Sequence, residues 1–362
     1  MPPDPGTADA TAAGADATSV RADATAAGAD AAAAGDDATS VRTAATLLRA
    51  EATVVRAEAT FLRADATVVR AEDAPGPTLV VRLDRLPPGA LASAGELAYL
   101  RRVLARTPYR DLNKIALYGP SRRPGAADLD YRFVQALPDG RFDFRTGCGH
   151  SLLACVVAEG RAGPVAVRAL TTGDTVLCRP RGGAYDLDFL RAPTAPGTLP
   201  TGRPVDVLDG VPVSLVRYGN PYVLVDTRHL PAHGASGAHG VHDAPGLEAR
   251  LLRLRAHAAV LLGHPPHSPL PKIAAFAPTP DGLFVRALTV GGWHPRLALT
   301  GAAAFAVAGA IDGTVVPGPV GSIRTPGGDV VVSTGPGHVR VHAKRAHLVD
   351  RLRLPWRVHA TA

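Results

Sequence analysis

From residue 78 onward the chain alternates short apolar runs with turn residues, and the runs follow two periods. The β-branched stretch Thr78-Leu79-Val80-Val81-Arg82-Leu83 predicts a strand, and the apolar spacing over residues 91–106 predicts an amphipathic helix. Strands are expected at 115–118, 129–136 and 141–145, the last two joined by the turn Pro138-Asp139-Gly140. A short apolar helix over 151–159 closes on Gly160, and strands follow at 165–170 and 175–178. After a Pro-, Ala-, Thr- and Gly-rich linker at 191–200 the same order returns. Strands are expected at 211–217 and 222–226, a helix at 247–262, strands at 272–277 and 283–287, and a second apolar helix at 301–311. The helices 151–159 and 301–311 are apolar on nearly every face, which places them in an interior. The pattern predicts an α+β protein of two pseudo-symmetric lobes, each a β-sheet wrapped round a buried central helix, and suggests internal duplication.

Residues 1–73 follow a different rule. The phrase ADATAAGADA occurs twice in the first 31 residues, and Thr-Ser-Val-Arg ends units at Arg21 and Arg42. From residue 45 the period is seven: Leu47-Leu48, Val54-Val55, Phe61-Leu62 and Val68-Val69 recur, each followed by an arginine. Two readings stand. The heptads form a helical segment that could make homo-oligomers, or the tract is an accessory low-complexity extension, its first forty residues disordered. The expected division is an extension over 1–74, a first lobe over 75–195, a second over 196–335, and a segment over 336–362 returning to the first lobe.

Composition narrows the function. The net charge of +7 comes from scattered arginines with few adjacent basic pairs and few aromatics, so no nucleic-acid partner is expected. The longest apolar stretch, 297–311, is too short and too rich in Ala and Gly to cross a bilayer, so no membrane partner is expected either. No basic, leucine-rich leader is visible, and the cytoplasm is the expected compartment. Three cysteines, Cys148, Cys155 and Cys178, form no CxxC pair and are expected as thiols. Five histidines (His233, His239, His242, His264 and His267) match no zinc spacing, so no metal site is expected.

The most informative segment is Thr146-Gly147-Cys148-Gly149-His150-Ser151, between a strand and a buried helix. Glycines on either side allow a sharp turn, and a thiol at a helix N-terminus has its ionised form favoured. The alternative is an inert buried cysteine, which is the reading for Cys155 and Cys178.

Several stretches resemble the 2-methylaconitate cis-trans isomerase (PrpF) family of the diaminopimelate epimerase-like superfamily. Gly147-Cys148-Gly149-His150 is similar to that family's Asn-Cys-Gly-Asn, and Asp111-Leu112-Asn113-Lys114 to its Ser-Thr-Ser-Lys before a strand. Leu129 to Gln135, Leu199 to Asp206, Gly219-Asn220-Pro221-Tyr222-Val223, Pro271-Lys272-Ile273-Ala274, His294 to Ala302 and Gly313-Thr314-Val315-Val316 resemble further family stretches in the same order. The resemblance implies the diaminopimelate epimerase-like fold and a cofactor-independent isomerase. Such an enzyme moves a proton along an allylic system beside a carboxylate, with Lys114 and Cys148 as acid and base. Substrate contacts are expected from Asn113, Gly149, His150, Ser151, His294, Thr300, Gly301 and Arg324, and the expected partner is a small carboxylate. Asn220 is expected to fix the turn before Pro221. The family's Arg-Gly-Gly-Thr-Ser-Lys-Gly loop has no counterpart in Glu72-Asp73-Ala74-Pro75-Gly76-Pro77. That loss predicts an acid of one or two carboxylates, and leaves a non-catalytic binding module as the other reading.

Overall fold

The computed structural model describes residues 66–86, 89–230, 246–289 and 292–353. The chain divides into two compact units after Arg63, and the description concerns the second. The repeats before residue 66, including the first three heptad pairs, and His233, His239 and His242, lie outside the described residues.

The elements of the first half are β1 (Ala66–Ala71), β2 (Thr78–Arg82), α1 (Ala90–Leu104), β3 (Lys114–Pro120), β4 (Leu129–Ala136), β5 (Phe142–Asp143), α2 (Gly149–Glu159), β6 (Val165–Ala169), β7 (Thr175–Arg181) and β8 (Ala184–Phe189). A short strand, β9 (Asp206–Leu208), leads into the second half. There β10 (Val211–Tyr218), β11 (Asn220–Asp226), α3 (Leu247–Leu261), β12 (Lys272–Thr279), β13 (Gly282–Thr289), β14 (Gly292–Trp293), α4 (Leu299–Gly309), β15 (Ser322–Thr325), β16 (Gly328–Gly335) and β17 (His338–Lys344) follow, and β18 (Ala346–Leu352) ends the fold.

The pairings repeat with the elements. β2 and β3 are parallel neighbours joined through α1, and β11 and β12 are parallel neighbours joined through α3. β3 pairs antiparallel with β4, and β12 with β13. β4 pairs parallel with β6 across α2, and β13 with β15 across α4. The halves are stitched at both ends. β8 pairs with β17, β9 adds to β10, and β18 crosses back to pair with β1.

Packing explains why α2 and α4 carry so few polar residues. Leu152, Leu153 and Val156 of α2, and Phe305 and Val307 of α4, lie in one core with Tyr131, Leu224 and Phe276. Every residue of α4 is buried. Leu97, Leu100 and Leu104 of α1 cover the opposite face of the first sheet against Leu79, Val81, Ile115 and Leu117. Leu251, Leu254 and Ala258 of α3 do the same against Val213, Leu215, Val223 and Ile273. Strands β2, β3, β11 and β12 are therefore buried on both faces, which is why they read as continuous apolar runs.

The fold starts earlier than residue 75. β1 lies inside the stretch read as extension, between β18 and β2. Its Val68 faces the α1 side and Val69 the α2 side, both fully buried. A doubled valine reads as a helical seam when one face is assumed to be buried; in a strand covered on both faces, consecutive residues are both interior. Glu72 to Pro77 then form the turn into β2. Among the described residues no helix is long and apolar enough to cross a membrane.

Candidate active site

Where the two halves meet, a cleft of about 580 Å³, counted out to open solvent, is lined by Pro75, Lys114, Phe133, Gln135, Thr146, Gly147, Cys148, His150, Asn220, Tyr222, Lys272, Ala287, Leu288, His294 and Ala298. The N-termini of α2 and α4 converge beside it. Gly149 is required there: a β-carbon at that position would lie 2.7 Å from Leu299 Cβ. The two helix starts can approach only because one of them has no side chain.

Cys148 is the residue immediately before α2, in extended conformation with φ −141° and ψ 109°, and is partly exposed. Two side chains hold its backbone. Tyr131 donates its hydroxyl proton to the Cys148 carbonyl at 2.9 Å. Asn220 grips the preceding residue, accepting from the Gly147 N–H at 2.7 Å and donating to the Gly147 carbonyl at 2.8 Å. The same Asn220 amide reaches Thr300 Oγ1 at 3.4 Å, so this residue, read from sequence as fixing its own turn, ties the thiol's loop to the start of α4. Cys155 and Cys178 are fully buried in the core, and burial pushes both thiols far above their ordinary range.

Lys114 opens β3 and is buried. Its ammonium reaches the Gly76 carbonyl at 3.5 Å. Burial lowers its pKa; the neighbouring Cys148 opposes that shift and Arg70 adds to it. A lysine so placed can exist in either protonation state closer to neutrality than a solvated one.

His150 and His294 stack across the cleft with ring centroids 6.5 Å apart. Both are held neutral, chiefly by burial and then by Lys114; His150 is pushed well below its ordinary value and His294 down to about 4. His294 Nδ1 accepts the Arg296 backbone N–H at 3.1 Å, which leaves Nε2 carrying the proton of the neutral ring. His150 Nε2 is buried without a hydrogen-bond partner.

Of the residues singled out from sequence, Lys114, Cys148, His150 and His294 line the cleft. Gly149, Ser151, Thr300 and Gly301 lie at the two helix starts behind it, with Ser151 Oγ 3.0 Å from Thr78 Oγ1. Asn113 is exposed and offers its carbonyl to Ala136 and Gln135. Arg324 is an exposed residue of β15 beside Asp329, away from the cleft lining. Gln135, Tyr222 and Lys272 line the cleft without having been singled out. For Lys272 a signal was present: Lys272-Ile273-Ala274 repeats Lys114-Ile115-Ala116, and each triplet opens the equivalent strand of its half. Glu72 to Pro77 do not leave the position of the expected loop empty, since Pro75 forms part of the cleft wall. Asp73 is bound there by Arg296 and by Lys344, the latter at 2.6 Å. Among the described residues no group of three or more His, Cys, Asp or Glu side chains could hold a metal ion.

Residues 181–353 match the family model described as PrpF protein. YbhH of Escherichia coli (strain K12) is 27% identical over 239 residues, spanning 56% of this chain and 68% of that protein. The (4E)-oxalomesaconate Delta-isomerase of Novosphingobium sp. (strain KA1) is 26% identical over 238 residues, spanning 56% of this chain and 66% of that one. The crystal structure of a methylitaconate-delta-isomerase superposes with a TM-score of 0.58 at 22% identity, covering 79% of this chain and 94% of its own, which shows a shared fold. With its sequence relatives, its family match over residues 181–353 and its diaminopimelate epimerase-like fold in agreement, this chain carries a region similar to PrpF proteins and is an isomerase by class.

Proposed function

We propose that this isomerase shifts a proton along the allylic system of a small unsaturated carboxylic acid, with Lys114 and Cys148 as the acid–base pair. The observation that carries the reading is that these two side chains, both from the first half, line one cleft, with Cys148 immediately before α2. One group takes the proton from the allylic carbon, and the electron pair left behind delocalises through the double bond onto the carboxylate as a dienolate. The other group delivers a proton to the far end of the system. The double bond has moved, and the pair has exchanged one proton in each direction. Backbone N–H groups at the starts of α2 and α4 favour the negative charge of the dienolate. Tyr131 and Asn220 fix the thiol's backbone so that little reorganisation accompanies transfer. The substrate class is supported by the oxalomesaconate isomerase among the sequence relatives.

The test is a panel of mono-, di- and tricarboxylic unsaturated acids incubated in heavy water and followed by NMR. Double-bond migration with deuterium entering the allylic position is expected for at least one member. Failure of every member to bind or exchange contradicts the reading.

A further inference from the structure

The segment between β1 and β2 is a strap held along its length. The Glu72 N–H donates to the Arg345 carbonyl at 3.1 Å, and the Ala74 N–H to the Ala71 carbonyl at 3.1 Å. Asp73 is bound by Arg296, which lies just before α4, and by Lys344 Nζ at 2.6 Å from the end of β17. Pro75 then enters the cleft wall, and the Gly76 carbonyl stands 3.5 Å from the Lys114 ammonium. One carboxylate thus ties cations from two sequence-distant elements to the segment that touches Lys114. Two further observations single out this arrangement. Of the 39 Lys and Arg residues only three are lysines, Lys114, Lys272 and Lys344. The first two line the cleft and the third holds its strap, so a chain that otherwise uses arginine keeps the compact, titratable ammonium for this one region. The backbone is also bent where it delivers Lys344. β17 slips its register against β8 between Val341 and Lys344, and Ala343 within that bulge takes φ 51°, a left-handed conformation that a β-carbon disfavours. Asp186 accepts the Ala343 N–H there at 2.9 Å; strain of this kind persists only where the surroundings enforce it. Lys344 is buried beyond the bulge.

We propose that Asp73 is a positioning residue for Lys114: clamped by Arg296 and Lys344, it holds the strap so that the Gly76 carbonyl fixes the Lys114 ammonium at the cleft. The charged and titratable groups around Lys114 are Arg70 of β1, Cys148 and His150 at the start of α2, and His294 before α4. Cys148 favours the charged lysine and Arg70 opposes it, while both histidines are neutral. The strap carbonyl adds an acceptor for the ammonium. Asp73 touches no substrate in this account and acts only through Lys114. The inference rests on the isomerase reading for the task of Lys114, and its test needs no substrate.

The experiment follows the lysine ε-carbons by NMR against pH in the full-length protein carrying ¹³C-labelled lysine. Three lysines give three signals, assigned through Lys114→Ala, Lys272→Arg and Lys344→Met. Thermal unfolding of each variant is recorded alongside. In wild type the Lys114 signal should titrate below the ordinary lysine range. In Asp73→Asn, which releases the clamp and leaves Arg296 and Lys344 without their counter-ion, the Lys114 midpoint should fall further. Lys344→Met separates position from charge. Removing a cation alone would raise the Lys114 midpoint, whereas releasing the strap takes away its acceptor and lowers it; a fall is expected. An unchanged midpoint in either variant, or a rise in Lys344→Met, overturns the proposal. If only one variant unfolds cooperatively, its result decides alone. Loss of cooperative unfolding in both shows that the clamp serves the fold and not the lysine, and overturns the proposal too. A protein that gives the expected shifts but isomerises no acid of the panel contradicts the proposed reaction and leaves the clamp standing.

Discussion

At the scale of single residues, the site is a set of side chains whose ordinary ionisation has been displaced by burial among cations. His294 gives this a measurable consequence. Its folded-state pKa of about 4 lies below the ordinary histidine value, so between roughly pH 6.5 and 4 the unfolded chain binds a proton that the folded one refuses. Stability from this residue is full above that window and is lost as pH falls through it, by up to about 3 kcal/mol. Denaturant unfolding of wild type and His294→Asn at several pH values should therefore converge as the medium is acidified; parallel curves would show that His294 protonates freely in the fold. Cys148 was legible at this scale because Gly147-Cys148-Gly149 announces a turn, whereas Lys114 was picked out only through the family resemblance of Asp111-Leu112-Asn113-Lys114. Asn220 and Lys272 were harder to assign. Nothing local distinguishes an asparagine that caps its own turn from one that grips a loop 73 residues away, and a lysine at a strand end looks the same whether it faces water or a cleft.

At the scale of elements, the apolar patterns located the helices within a residue or two. The expected helix at 151–159 is Gly149–Glu159, and that at 301–311 is Leu299–Gly309. Both begin two residues earlier than expected, and neither start is capped by a side chain. The strands from Ser322 to Leu352 were not legible, since Asp329, Arg340 and His347 interrupt them and their apolar residues face only one side. Contact between α2 and α4 is where the elements constrain each other most closely. Gly149→Ala places a methyl against Leu299 and should cost about 1–3 kcal/mol. Leu299→Ala alone should cost about 2–5 kcal/mol by leaving a cavity. The double variant should be only modestly less destabilised than the sum, because the truncation removes Leu299 Cδ1 and Cγ, 3.0 and 3.2 Å from the new methyl, but keeps the Cβ at 2.7 Å. Strict additivity in urea unfolding would mean that the two helix starts do not press on one another.

For the whole molecule, the decisive feature is that the last strand of the fold returns to the first: β18 pairs with β1, and β1 with β2. The low-complexity look of residues 64–71 concealed this, because Ala, Thr, Val and Arg serve a repeat tract and a strand equally well. Removing residues 1–63 should leave cooperative unfolding intact, whereas removing residues 1–74 takes out β1, exposes the edges of β2 and β18 and should abolish it. Cooperative unfolding of the shorter protein would show that β1 is dispensable. The duplicated plan also explains why the chemistry is one-sided: the position before α4 that corresponds to Cys148 is Ala298, so each half supplies a lysine but only one supplies a thiol. The account's central claim is that Lys114 and Cys148 move the proton, and the most direct measurement is deuterium exchange at the allylic carbon of the best substrate, by NMR in heavy water. Wild type should exchange, while Cys148→Ser and Lys114→Ala, each still folded, should lose about 10²- to 10⁴-fold in exchange rate. Near wild-type exchange in either folded variant would contradict the assignment.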